Sequence, residues 1–291
     1  MKRLRSNKHK IRIDVFMANV QQTQYFQRLH KDYSNFICEY FTNETHRNRG
    51  YLFCHPFAEE QKRVLFLHNQ IAFQLANAGY PVFMGDYYGC GDSEGEFEDA
   101  TITGWSNDIE RFCKFFIKKY DLNSIGLIGT RLGGYLACRL LNTSLPIEKA
   151  VLIEPVLSPV RDFKMSIRQK LVKELHTGGH VNSNRKDMIK ALESNGSIDF
   201  DGYCISSKFY RDLKTNHQSI EPVKGKADLL FVHVSKKQTL SPNYQTFLDN
   251  WTLLENAVTV LQEDLSPFWL KLDPPDCSGL VNKIVDWCSS E

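Results

Sequence analysis

Residues 124–128 read Ser-Ile-Gly-Leu-Ile, an apolar strand pattern that runs straight into Gly129-Thr-Arg-Leu-Gly133 and then a helical pattern through Leu141. A strand, a Gly-x-nucleophile-x-Gly turn and a helix form the sharp elbow that presents a catalytic hydroxyl. The glycines serve a steric purpose: the central residue sits in a strained turn, so the residues two positions either side must lack side chains. Centring the turn on Thr130 would put Ile128 and Leu132 where glycine is needed, so the register places Arg131 at the nucleophile position. A guanidinium is permanently charged and is not a nucleophile.

In such an arrangement an acid and then a histidine follow the nucleophile along the chain. The acid's turn, beyond Leu229–Val234, reads Ser235-Lys-Lys-Gln-Thr-Leu-Ser241, with Lys237 at the acid's place. The base should fall around Glu263 to Phe268, yet the last of the nine histidines is His233. Serine-triad chemistry is therefore not expected. Positive and thiol groups remain. Arg131 at a helix N-terminus, with Lys236 and Lys237 from a neighbouring strand end, could hold a carboxylate or phosphate. The alternative is that Arg131 is neutralised inside the protein by Glu59, Glu60, Asp86 or Glu154, with Glu59 or Glu60 favoured because both arrive on the loop facing the elbow. Cys54 and Cys90 are expected in loops at the same sheet edge, but a cysteine nucleophile needs a base and a lowered pKa. His55 adjoins Cys54, and successive strand residues point to opposite faces; its expected role is to structure its loop, with ligand contact as the second reading.

Elements must position these groups. Alternating runs at Ile11–Phe16 and Asn35–Phe41 read as antiparallel strands. After Gly50, strands at Tyr51–Cys54, Pro81–Met84, Ser124–Ile128 and Lys149–Leu157 alternate with helices from about Glu60 to Ala78 and Trp105 to Lys119. That alternation means a doubly wound, mostly parallel sheet. From Ser158 to Lys226 the rhythm breaks, with helical pieces at Lys164–Leu175 and Arg185–Leu192. Residues 1–157 and 227–291 are thus expected to form the core, where strand–helix alternation resumes at Ala227–Val234, and residues 158–226 an inserted helical cap after the sixth strand, over the ligand crevice.

Net charge is +2, which argues against nucleic acid as a partner. The basic cluster Lys2, Arg3, Arg5, Lys8 and Lys10 reads as a solvated terminus, with a membrane-surface or polyanion contact as the alternative. No apolar run approaches the ~18 residues of a membrane span, and no signal segment is evident. The eight cysteines are scattered without a C-x-x-C pair, so no metal or cofactor and a reduced, cytoplasmic setting are expected.

His55-Pro-Phe-Ala-Glu-Glu60, Gly89-Cys-Gly-Asp-Ser-Glu-Gly-Glu-Phe-Glu-Asp-Ala-Thr101 with Trp105 and Asp108, Gly129-Thr-Arg-Leu-Gly133 and Pro267-Phe-Trp269 resemble the exosortase A system-associated hydrolases of type 2. The resemblance covers roughly residues 50–140 and implies the α/β-hydrolase fold, near the serine aminopeptidase-like branch, with arginine at the elbow as a family trait. Fold alone does not settle activity. The expectation is a non-hydrolytic binding or accessory protein for a small acyl- or phosphate-bearing molecule. Its rivals are a hydrolase or acyltransferase acting on an ester or thioester through a relocated nucleophile, and a structural partner of another protein or of a second copy.

Overall fold

The computed structural model describes residues 13–17, 19–42, 47–178, 184–216, 227–237, 239–254, 256–273 and 275–290. The basic cluster from Lys2 to Lys10 and Gly179 of the expected inserted loop lie outside them. Among the described residues the main sheet has nine strands: β1 (Ile13–Met17), β2 (Val20–Gln27), β3 (Asn35–Thr42), β4 (Arg49–Cys54), β5 (Val82–Gly85), β6 (Ser124–Thr130), β7 (Ile147–Ile153), β10 (Asp228–Val234) and β11 (Val258–Glu263), in the order β1-β2-β3-β5-β4-β6-β7-β10-β11. β1, β2, β3 and β5 pair antiparallel, and from β5 to β11 every pairing is parallel. The sequence reading missed β2. Its segment, Val-Gln-Gln-Thr-Gln-Tyr-Phe-Gln, carries glutamines where an alternating apolar face would be.

The two sheet faces follow from the period of two along each strand. Leu52, Leu127, Leu152 and Phe231 point to one side, where α2 (Ile102–Tyr120), α3 (Leu132–Leu140) and α7 (Pro242–Leu253) bury Trp105, Phe112, Tyr135 and Trp251. Phe53, Ile128, Ile153 and Val232 point to the other, against α1 (Glu59–Asn77) and α8 (Ser278–Ser289). The α1 stripe Val64, Leu67, Ile71 and Leu75 is spaced as a core-facing helix requires. The last turn of α1 gives way to Gly79 at φ 88°, a left-handed position that suits glycine.

Between β7 and β10 the chain forms α4 (Pro159–Gly178), α5 (Arg185–Glu193), a hairpin of β8 (Ser197–Phe200) and β9 (Tyr203–Ser206), and α6 (Ser207–Asn216). With β2 counted, this insertion follows the seventh strand in chain order, not the sixth. The hairpin and α6 were not legible, because their strands are four residues each and α6 buries little beyond Phe209, Tyr210 and Leu213. Phe163, Ile167, Phe209 and Tyr210 of the insertion join the same apolar cluster as α2 and α3. The carboxylate of Asp212 on α6 accepts from both Thr103 N and Thr103 Oγ1 at 2.8 Å, which ties the insertion to the first turn of α2. Among the described residues no helix is long and apolar enough to cross a membrane.

Candidate functional site

The elbow is built as its glycines demand. Arg131 stands between β6 and α3 with φ 55° and ψ −118°, a conformation that is strained for any residue with a Cβ. A Cβ on Gly129 would lie 2.5 Å from the Gly133 carbonyl oxygen, and one on Gly133 would lie 1.9 Å from the Cys54 carbonyl oxygen. The glycines are therefore required by the approach of α3 to the end of β4. The Arg131 N–H donates to Ile153 O at 2.9 Å, and its carbonyl accepts from Val156 N at 3.1 Å, so the elbow is also fastened to the end of β7.

Arg131's side chain turns into a cavity of about 710 Å³ between the sheet edge and the insertion. Its Nε lies 3.6 Å from Glu60 Oε1 and one terminal nitrogen lies 3.8 Å from Asp162 Oδ1. Nη1 donates to the Glu154 carbonyl oxygen at 3.3 Å, and the guanidinium carbon sits 5.2 Å from the centre of the Trp269 ring. Two carboxylates, a carbonyl and an aromatic face thus surround a side chain that is 17% exposed. Burial opposes its charge, but Glu60, with Tyr244 and Asp162 behind it, holds the guanidinium pKa above its ordinary value. Burial pushes the Glu60 carboxyl up, with Arg131 pulling the other way, and does the same to Asp162.

The cavity wall is mixed. Phe57, Ile102, Phe163, Phe200, Phe209 and Leu213 make an apolar side, and Arg63, Lys170, Lys173 and Lys271 stand with Glu59, Glu60, Asp162, Asp201 and Asp273 around the rest. The sequence left positive groups around the crevice and favoured neutralisation of Arg131 by Glu59 or Glu60 over an open anion site. The structure sets Glu60, with Asp162, beside Arg131, because a buried guanidinium needs partners.

The other candidates fall elsewhere. Glu59 lines the cavity but pairs with Lys62 at 2.8 Å and accepts from Tyr203 Oη at 3.2 Å. Asp86 accepts from Gln61 Nε2 and Asp92 N, away from Arg131. Lys236 and Lys237 are exposed in the turn after β10 and are not among the residues lining the cavity. Cys54 is not in a loop. It is the last residue of β4, fully buried, and paired in register with Gly129. Burial raises the Cys54 thiol pKa, and raises that of Cys90 well above its ordinary value, the reverse of what a nucleophile needs. Cys90 and His55 border a separate cavity of about 320 Å³ with Asp86 and Gln61. His55 is buried, its backbone N–H donating to Tyr87 Oη at 2.6 Å, and burial brings its side-chain pKa down to about 4. Behind it His68 Nε2 lies 2.8 Å from Thr130 Oγ1, one residue before the elbow centre.

Two features were not read from the sequence. Asp162 comes from α4, more than thirty residues beyond the elbow, and no local pattern marks it. At the C-terminal ends of β7 and β10, the Glu154 carboxylate meets His233 Nδ1 at 2.5 Å, accepts from Val234 N at 2.7 Å, and accepts from Tyr244 Oη at 3.0 Å. Glu154 holds φ 45°, and its own carbonyl is the one that receives Arg131. Where the sequence offers no late histidine, the segment after β11 delivers Trp269 to the guanidinium.

Sheet order, elbow and insertion together define an α/β-hydrolase-fold protein. The family model of serine aminopeptidase, S33, matches residues 45–208, more than half the chain. The chain belongs to that family. No curated protein is significantly similar to it in sequence. Among solved structures it resembles Est1E of Butyrivibrio proteoclasticus with ferulic acid bound, at 14% identity and a TM-score of 0.59 over 95% of this chain and 97% of that one. It also resembles mouse alpha/beta hydrolase domain-containing protein 10, at 14% identity and TM-score 0.58 over 91% and 98%. Proline iminopeptidase of Mycobacterium smegmatis matches at 12% and 0.57 over 91% and 97%. At such identities these likenesses establish the fold alone.

Proposed function

We propose that this protein binds a small acyl-bearing molecule without hydrolysing it, as a non-catalytic member of a hydrolase family. The observation that carries the reading is Arg131, which holds the strained geometry of the nucleophile while its guanidinium is engaged by Glu60, Asp162 and the Glu154 carbonyl. Among the described residues of the cavity wall the one hydroxyl is Ser166, which donates to the Asp162 carbonyl at 3.0 Å, and no histidine or cysteine is present. The aromatic side takes an acyl chain, and the charged side orients a polar head. An anionic head, carboxylate or phosphate, would have to compete with Glu60 and Asp162 for Arg131, so the acyl part supplies most of the affinity. Residues 158–226 act as the cap over this crevice, on a core of residues 1–157 and 227–291. The finer resemblance to exosortase-associated type 2 proteins, and a cytoplasmic setting, belong to this same reading.

A fluorescent medium-chain fatty acid is the probe. Binding should be saturable and weakened by Ser166→Trp, which fills the cavity, and mixed probe and protein should keep their intact masses. Absence of saturable binding, or release of product from the corresponding ester, would refute it. The rival reading, an ester or thioester enzyme with a relocated nucleophile, predicts that release.

A further inference from the structure

The cavity of about 320 Å³ that His55 and Cys90 border lies on the other side of α1 from Arg131. Glu60 and Arg63 line the Arg131 cavity, whereas Gln61, Leu65 and Asn69 line this one. At about 100° per residue, those two sets fall on opposite faces of the helix. The sheet supplies the facing wall, through Gln22 and Gln24 of β2, Phe36 and Cys38 of β3 and Met84 of β5. The volume falls at the lower end of small-ligand sites, roughly 300–1,000 Å³.

Asp86 stands in that wall. Its Oδ1 accepts from Gln61 Nε2 at 2.8 Å and its Oδ2 from Asp92 N at 3.0 Å. Both donors are neutral, and no cation among the described residues pairs with it. The bond from Asp92 N shapes the loop but leaves the negative charge unmatched. Burial, with the Asp92 carboxylate adding to it, raises the Asp86 pKa to about 6. The group is therefore ionised at neutral pH, where a bound cation would offset the cost of burying it. Among the described residues of the wall the one cation is Lys62, which is engaged by Glu59 at 2.8 Å and lies 5.4 Å from the centre of the Tyr203 ring. His55 lines the cavity as a neutral side chain, with Nδ1 buried and without a hydrogen-bond partner among the described residues. Phe97 and Tyr203, whose ring centres lie 4.8 Å apart, and Phe36 add aromatic faces. A buried carboxylate beside aromatic faces and neutral amides, with the nearby lysine engaged elsewhere, matches an ammonium group carried on an apolar body.

We propose that this second cavity binds a small organic ammonium, its charge held by Asp86 and its apolar body against Phe36, Phe97 and Leu65. The site is separate from the acyl cavity, and its test does not depend on that reading. 2-Phenylethylammonium is titrated into the full chain at neutral pH by calorimetry, with 2-phenylethanol as the neutral match. The amine should saturate one site, and the alcohol should bind at least about tenfold more weakly, because it has no charge to pair with Asp86. Asp86→Asn should abolish amine binding. Because Asp86 also holds its loop, a second variant is placed at Leu65, which is 42% exposed. Leu65→Lys brings a like charge to the wall without altering Asp86, and should weaken the amine at least about tenfold. Ser166→Trp, which fills the Arg131 cavity, should bind the amine as wild type. An amine that does not saturate, an alcohol that binds as well, or undiminished binding by a folded Asp86→Asn or by Leu65→Lys would overturn the proposal. So would loss of binding in Ser166→Trp, which would move the amine to the other cavity.

Discussion

Replacing Arg131 by alanine removes a charge from between two carboxylates, and the cost can be bounded from the geometry. Breaking a buried ion pair from one side costs ~3–5 kcal/mol, because the partner is left buried and unpaired. Here the separations are 3.6 and 3.8 Å, longer than a hydrogen bond, and the Asp162 side chain is 37% exposed, so solvent screens part of the loss. The loss of the Trp269 face adds ~0.5–1 kcal/mol. A destabilisation of ~2–3 kcal/mol follows, which at a urea slope of about 3 kcal/mol/M shifts the midpoint by ~0.7–1 M. The pH dependence identifies the cause. Glu60 and Asp162 already have folded-state pKa values above their ordinary 4.5 and 3.8. Their contribution is therefore fully present below those values and is lost as pH rises through the folded ones. Removing the cation raises the folded values further, so the deficit of Arg131→Ala should be largest near neutrality and shrink toward about pH 4.5, where the carboxyls protonate. Arg131→Gly should be ~1–2 kcal/mol more stable than Arg131→Ala, because glycine removes the strain at φ 55°. Urea unfolding of the three proteins at both pH values is the assay. A variant as stable as wild type near neutrality, or a deficit independent of pH, would refute the ion-pair account.

Arg131→Ser should not restore efficient ester hydrolysis, because His233 directs Nδ1 at Glu154 and does not line the cavity; stopped assays on activated esters should find at most roughly 10³–10⁴ over water. His55 is held neutral to about pH 4 against an ordinary 6.5, so the unfolded chain takes up its proton first and stability is lost as pH falls through that window, by on the order of 3 kcal/mol. Asp86, raised by burial to about 6, acts in the opposite sense, so the test is the difference between wild type and His55→Gln, which should shrink as pH falls from 6.5 toward 4. Thr130→Val leaves buried His68 Nε2 without its partner and should cost ~1–3 kcal/mol in thermal or urea unfolding.

The parallel strands were legible because strands covered on both faces are continuous apolar runs, as in Leu229 to Val232. The elbow was legible because its requirement is local: only glycine fits at 129 and 133, whatever stands between them. Glu60, one of the two favoured partners, followed from the same local logic, since the segment after β4 must face the elbow, while Glu59 pairs with Lys62. Asp162 did not, because an ion pair across the insertion depends on how α4 folds back over the sheet. The Glu154–His233–Tyr244 network joins three elements far apart in sequence and leaves no motif. Lys236 and Lys237 were misjudged for a related reason. Position in the chain identified the strand end, but the side chains leave it for solvent.

The central claim is that the Arg131 elbow presents no nucleophile. Incubation of the full chain with a serine-directed fluorophosphonate, read by intact mass, tests it most directly. The protein should keep its unmodified mass at probe concentrations that label a serine hydrolase control completely. A stoichiometric adduct that maps to a residue of the Arg131 cavity would contradict the account and make the protein an enzyme.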